Sequence, residues 1–249
     1  MLGSDPIAAF LGAGIDPRAP QGAYRKYLTH LVRNGAAVVM LGPDVVVPDD
    51  ADPETTAALA SLLAGFPPGT RMPESNLKLL KDVGQVDASE ARARTRVDFW
   101  WKTAARFVGK DCVDDLVSAG VVTPMVGIHV GMSGMVAVSA PGAEALAQWR
   151  DWSAQISGDP YERHTGPTVL LPTMIGGGVY LFRTDADTEV PADLTMRTAG
   201  CVIETGDVVV PIPPSRFSGQ PVSRLGPARM LPSWLRTVLL ESAPPAIAV

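Results

Sequence analysis

Three consecutive glycines, Gly176-Gly177-Gly178, separate two β-rich runs. A backbone without side chains can approach a phosphate or a base closely and turn its N–H groups toward an anion. Thr173 precedes the glycines, and Val179-Tyr180-Leu181-Phe182-Arg183 follows them and ends in a guanidinium. A second apolar run, Val208 to Ile212, closes on Pro213-Pro214-Ser215-Arg216, which adds a hydroxyl and another guanidinium. Thr173, Gly176, Gly177, Gly178, Arg183, Ser215 and Arg216 are therefore the candidate nucleotide- or DNA-binding set. Each also has a purely structural reading: a tight turn for the glycines, a loop cap for Ser215, a surface strand position for Arg183.

Other polar groups read as structural. His129 sits between apolar neighbours and is expected to be a satisfied core histidine. His164 reads as loop surface. Asp185, Asp187 and Glu189 form a solvated hairpin, because nothing rigid aligns them on a metal. Asp49, Asp50, Asp52 and Glu54 are turn and helix-cap residues. Three histidines and two isolated cysteines, Cys112 and Cys201, offer no zinc-type spacing.

The elements that must position these groups follow from periodicity. Residues 1–20 are rich in Gly, Pro and Ala and read as an irregular lead-in. Ala23 to Arg33 places Tyr24, Tyr27, Leu28 and Leu31 on one helical face, with Gly35 just past its end. Ala36 to Leu41 reads as a buried strand with Val45-Val46-Val47 as its hairpin partner. Asp52 caps a helix that has Pro53 at its first position and runs to about Ala64. Gly65 to Pro73 is a loop. Asp87 and Glu90 make a capping box for a helix whose stripe is Val97, Trp101, Ala104, Ala105 and Val108. Arg92, Arg96, Lys102 and Arg106 lie off that stripe, on a basic face that either meets solvent or contacts nucleic acid. Val126–Val130 and Met135–Val138 read as strands joined through Gly131 to Gly134. A helix from Ala143 to about Trp152 turns Ala145, Leu146 and Trp149 inward. Strands follow at Thr168–Leu171, Val179–Phe182, Gly200–Glu204 and Val208–Ile212, and Pro232 to Glu241 is a last helix. The expected fold class is α+β: an N-terminal helix-strand portion over 1–120, a mostly antiparallel sheet with helices against it over 121–241, and a frayed tail over 242–249.

Composition bounds the function. Apolar residues make up 46% of the 249, enough for a substantial core. A net charge of −5 argues against coating nucleic acid with the whole surface, while a local basic groove stays open. No basic stretch followed by an apolar run opens the chain, and no run reaches the roughly 18 apolar residues needed to cross a bilayer. The expectation is a reducing, cytoplasmic setting with no membrane partner.

From about Pro124 to Trp234 the order of motifs resembles the bifunctional primase/polymerase (prim-pol) domains of the archaeo-eukaryotic primase superfamily, common in phages and plasmids. The residues that carry the likeness are Val136-Ala137-Val138-Ser139-Ala140-Pro141 before a helix, then Ile175-Gly176-Gly177-Gly178-Val179-Tyr180-Leu181-Phe182-Arg183. After these come Val208 to Pro211, Pro213-Pro214-Ser215, Ser218-Gly219 and Pro232-Ser233-Trp234. The resemblance implies an RRM-like antiparallel sheet flanked by helices. It also implies nucleotide or single-stranded DNA as ligand, and a separate replicative helicase or primase subunit as partner.

Members of that family hold two divalent cations on an Asp-x-Asp strand and a third acid, chemistry that needs clustered carboxylates. Here those positions fall on Ala137, Ser139 and Val202, and the histidine of the glycine motif falls near Val179 or Tyr180. Glu204, on the same strand face as Val202, and Asp207 are the possible substitutes. Three readings follow: a domain that binds weakly but has lost catalysis and needs no cofactor; an active primase/polymerase that uses Glu204 and Asp207 with Mg²⁺ or Mn²⁺; and a protein-interaction scaffold.

Overall fold

A computed structural model describes residues 15–71, 88–162, 169–173, 176–184, 187–222 and 229–242. The expected lead-in up to residue 14, Asp87, His164, Thr168, Asp185 and the tail from 243 lie outside the described residues. The chain is α+β and divides into two compact units. Among the described residues, one comprises 15–128 with 209–222, and the other comprises 129–208 with 229–242.

The first unit contains helices α1 (Gln21–Arg33), α2 (Pro53–Gly65), α3 (Ala88–Val108) and α4 (Cys112–Ala119). Its sheet has strand order β1-β2-β8, from Val38–Val45, Val122–His129 and Val209–Ile212. Two short strands, β9 (Arg216–Phe217) and β10 (Gln220–Pro221), form a hairpin. Asp52 caps α2 as its sequence suggests, its carboxylate accepting the Thr55 N–H at 2.8 Å ahead of Pro53.

Helix α3 organises this unit. Trp101 meets Tyr24 of α1 with ring centroids 5.4 Å apart, and Trp100 meets Phe66 at 6.5 Å. Trp100 is fully buried and donates its indole N–H to Leu41 O at 2.9 Å, while Trp101 donates to Asp114 at 2.9 Å. Burying an indole of ~200 Å² is worth about 5 kcal/mol of transfer free energy, and the paired N–H avoids the penalty of an orphan donor. Arg92, Lys102 and Arg106 are exposed, but Arg96 turns inward and donates to Val38 O.

One expectation about this unit needs correction. Val45-Val46-Val47 is not a hairpin partner of the preceding strand. β1 runs through to Val45 and pairs antiparallel with β2, from Val38 opposite Ile128 to Val45 opposite Val122, with an irregularity between Leu41 and Asp44. Gly42-Pro43 falls at that irregularity, where proline has no N–H for a ladder. The two strands expected on either side of Gly131 to Gly134 are both present, separated by a single 3₁₀ turn, Gly131–Ser133, and they belong to different sheets. Helix α4 carries no expectation from the sequence reading.

The second unit is built on β3 (Met135–Ala140), with α5 (Ala143–Ser157), β4 (Val169–Pro172), β5 (Gly178–Arg183), β6 (Thr195–Thr198), β7 (Cys201–Glu204), β11 (Arg229–Met230) and α6 (Ser233–Ser242). The sheet order is β11-β5-β3-β7-β6, and β4 also pairs with β5. All pairs are antiparallel except β11 with β5. Side chains alternate between faces. One face sends Val136, Val138, Tyr180, Phe182, Cys201 and Ile203 into a core with Ala145 and Trp149 of α5 and Leu235 and Leu239 of α6. Trp152 and Trp234 close that core, stacked edge-on at 5.7 Å. The burial leaves the Cys201 thiol far from ionising, its pKa pushed up to about 11.

Candidate functional site

The opposite face of the second sheet collects the positions the sequence singled out. Ala137 on β3 pairs with Leu181 on β5 and with Glu204 on β7. Glu204 pairs in turn with Thr195 on β6. One step along, Ser139 pairs with Val179 and Val202, and Val202 pairs with Arg197. Two parallel rows thus cross the sheet, Leu181-Ala137-Glu204-Thr195 and Val179-Ser139-Val202-Arg197. Directly opposed side chains in such a ladder stand about 5 Å apart at Cβ.

The rows carry one carboxylate. Ala137 is completely buried, Ser139, Val202 and Glu204 are half-buried, and Thr195 and Arg197 are exposed. Burial raises the Glu204 carboxyl above its ordinary pKa. Ser139, Val202 and Arg197 line a cavity of about 480 Å³ with Pro141 and Gly200. A hydroxyl and a guanidinium there suit an anionic or hydrogen-bonding ligand. Among the described residues no group of three or more His, Cys, Asp and Glu side chains is placed to hold a metal ion.

Asp207 is not part of these rows. It lies in the turn after β7, where His129 donates from Nε2 to its carboxylate at 2.8 Å. The His129 Nδ1 accepts the Met132 N–H at 3.2 Å, so both ring nitrogens are engaged and this buried histidine is satisfied, as its apolar neighbours suggested.

The glycine turn joins β4 to β5 at the end of the sheet nearest α5. Gly176 has φ of +77°, a conformation that glycine adopts without steric cost. A Cβ on Gly177 would lie 2.2 Å from Ala140 O and 2.7 Å from Gly142 N, inside the β3–α5 corner. A Cβ on Gly178 would lie 2.5 Å from Leu170. Thr173 N–H donates to Gly177 O and Gly176 N–H to Thr173 O, both at 3.1 Å. Two of the turn's amides are therefore used internally, and close packing on the corner accounts for Gly177. Thr173 and Gly176 are exposed at the rim.

Arg183 is the last residue of β5, half-buried opposite Met135 and on the same face one row beyond Leu181 and Ala137. Ser215 and Arg216 belong to the first unit. Ser215 is fully buried, and its hydroxyl donates to Val126 O and accepts from Val126 N–H, both at 2.8 Å. That hydroxyl staples β2 and has nothing left for a ligand. Arg216 is half-buried, with an Nε that lacks a hydrogen-bond partner. The sequence reading missed Arg197. Its signal was the alternation Thr195-Met196-Arg197-Thr198 ahead of Ala199-Gly200, a short strand running into a hairpin turn.

Comparison with models of known protein families finds none that matches this chain, and comparison with curated proteins finds no match either.

Proposed function

We propose that the second unit is a prim-pol-like sheet that has lost its metal chemistry and binds nucleotide or single-stranded DNA without joining nucleotides. The observation that carries this reading is the register. Ala137, Ser139 and Val202, the three positions where the resemblance calls for acids, lie on one face of two paired strands with Glu204 beside them. The strand, the helix after it, the glycine turn and the returning strand follow one another in the order that the resemblance implies, which supports the reading. With a single carboxylate in the rows, two closely spaced cations have no anionic cradle. The displaced-acid alternative rests on Glu204 alone, since Asp207 is engaged by His129. A replication partner, helicase or primase, would supply the catalysis this unit lacks.

The test is fluorescence anisotropy with a labelled deoxynucleoside triphosphate and a labelled dT12 oligonucleotide, on wild type and on Arg197→Ala. The expected result is salt-sensitive binding of the triphosphate that falls at least fivefold in Arg197→Ala. Primer extension with Mg²⁺ or Mn²⁺ should give no product. Triphosphate binding that Arg197→Ala leaves intact would remove the sheet face from the proposal, and extension abolished by Glu204→Gln would establish the displaced-acid enzyme instead.

A further inference from the structure

We infer that the groove between α1 and α3 in the first unit binds a chain of phosphates. This goes beyond the reading of the sheet and stands whether or not that sheet binds a ligand. The two helices run antiparallel, since Arg33 near the end of α1 meets Glu90 near the start of α3, and Arg25 meets Asp98 one turn or more along each helix. Between them lies a cavity of about 630 Å³ lined by Arg25, Lys26, Thr29, Arg33, Arg94 and Asp98.

Charge is the first observation. Four cations face two carboxylates, Glu90 and Asp98, so the groove is positive in a protein whose net charge is −5. The carboxylates are already committed. Glu90 takes two N–H groups of Arg33, at 2.5 and 3.1 Å, and Asp98 takes the Arg25 Nε at 2.5 Å and the Gln21 amide at 3.1 Å. These bonds fix the guanidinium orientations, which lowers the entropy lost when an anion docks. Arg94 is only loosely held, 3.9 Å from Glu90, and Lys26 is exposed.

The second observation is Thr29. It lies one helical turn from both Arg25 and Arg33, lines the same cavity, and is 5% exposed. Its Oγ1 has no hydrogen-bond partner. A buried hydroxyl without a partner normally costs free energy, and an oxyanion in the groove would supply the acceptor. The length agrees. Arg25 and Arg33 are eight residues apart, about 12 Å along the helix at 1.5 Å per residue. At ~3.4 Å of rise per phosphate in a stacked strand, that distance takes about three or four phosphates. The ligand is therefore a run of phosphates, either a single-stranded nucleic-acid backbone or a free polyphosphate.

The experiment titrates full-length protein with labelled dT12 and with inorganic tripolyphosphate, over a series of salt concentrations. It compares wild type with Lys26→Gln/Arg94→Gln and with the control Lys102→Gln/Arg106→Gln, which removes the same charge from exposed positions of α3 outside the groove. Thermal melts confirm that each variant folds. Wild type should bind dT12 or tripolyphosphate. The groove variant should bind at least tenfold more weakly, and for dT12 its log–log salt slope should be shallower by about 1.4, the amount for two phosphate contacts on a single strand. In an Arg197→Ala background Lys26→Gln/Arg94→Gln should still weaken binding at least tenfold, which separates the groove from the sheet. Competition between the two ligands assigns the source: dT12 binding that tripolyphosphate displaces only weakly points to a nucleic-acid backbone, and the converse to free polyphosphate. The inference is overturned if wild type binds neither, if the groove variant binds like wild type, if the control loses as much as the groove variant, or if polyglutamate competes as well as tripolyphosphate.

Discussion

Replacing Ser215 with alanine tests whether this residue is a ligand contact or a structural staple. The hydroxyl is 0% exposed and bridges Val126 N–H and Val126 O at 2.8 Å each. Ser215→Ala leaves a buried donor and a buried acceptor of β2 unpaired. Each unsatisfied group costs about 1–3 kcal/mol, so the pair should cost about 3 kcal/mol. Water cannot repair the loss, because the space vacated by one oxygen is well below the ~30 Å³ a water occupies. Equilibrium urea unfolding is followed by tryptophan fluorescence, in which Trp100 and Trp101 report the first unit and Trp149, Trp152 and Trp234 the second. The expected result is a midpoint shift equivalent to about 3 kcal/mol at unchanged denaturant slope. Nucleotide and oligonucleotide affinities, measured well below the transition, should stay at the wild-type value. A stability change under about 0.5 kcal/mol together with lost binding would refute the argument, because the hydroxyl would then be facing a ligand rather than Val126.

Gly177→Ala should destabilise the second unit by about 3 kcal/mol, since the added methyl carbon would stand 2.2 Å from a backbone oxygen that can move only with the β3–α5 corner; differential scanning calorimetry measures this, and an unchanged melting temperature would mean the turn sits free of the corner. Glu204→Gln should stabilise the protein at pH 7 but not at pH 3. Burial raises the folded-state pKa of Glu204 above its unfolded value, so its ionisation weakens folding as pH rises through the unfolded pKa, and the two stability curves should converge in acid.

The helix boundaries were legible wherever a cap and a stripe coincided, as at Asp52-Pro53 and at Tyr24, Tyr27, Leu28 and Leu31. Trp100 escaped because a single stripe through Val97, Trp101 and Ala104 assumes one buried face, whereas α3 is covered by α1 on one side and by β1 and α2 on the other. The sites at 137, 139, 202 and 204 were readable because the strand period is 2, so residues two apart share a face whatever the partners are. Partner choice was not readable. Val126–Val130 and Met135–Val138 read as strands joined through Gly131 to Gly134, and nothing in them says that β2 joins β1 and β8 while β3 joins β5 and β7. Those pairings are decided by contacts distant in sequence. The α1–α3 groove was hidden for the same reason. Arg25, Lys26 and Arg33 lie off the stripe of Tyr24, Tyr27, Leu28 and Leu31, and only antiparallel packing brings Arg94 and Asp98 beside them.

Charge separates the ligands the two units can hold. A phosphate must be neutralised by a cation, either a metal ion gathered by carboxylates or a guanidinium or ammonium supplied by the chain. The sheet rows offer one carboxylate and one arginine, so a ligand there meets a weaker field and is held by that arginine together with shape and hydrogen bonds. The α1–α3 groove offers four cations against two carboxylates that are already engaged, and its field extends over about 12 Å of helix. Screening acts differently on the two. Exposed charges weaken steeply as the Debye length falls from ~10 Å at 0.1 M salt to ~3 Å at 1 M, so groove binding should collapse over that range. A ligand on the sheet has one arginine contact beside the neutral hydrogen bonds of Ser139 and Thr195, so its affinity should also fall with salt, but less steeply. The steepness of the salt dependence therefore points to one unit or the other before a single residue is changed.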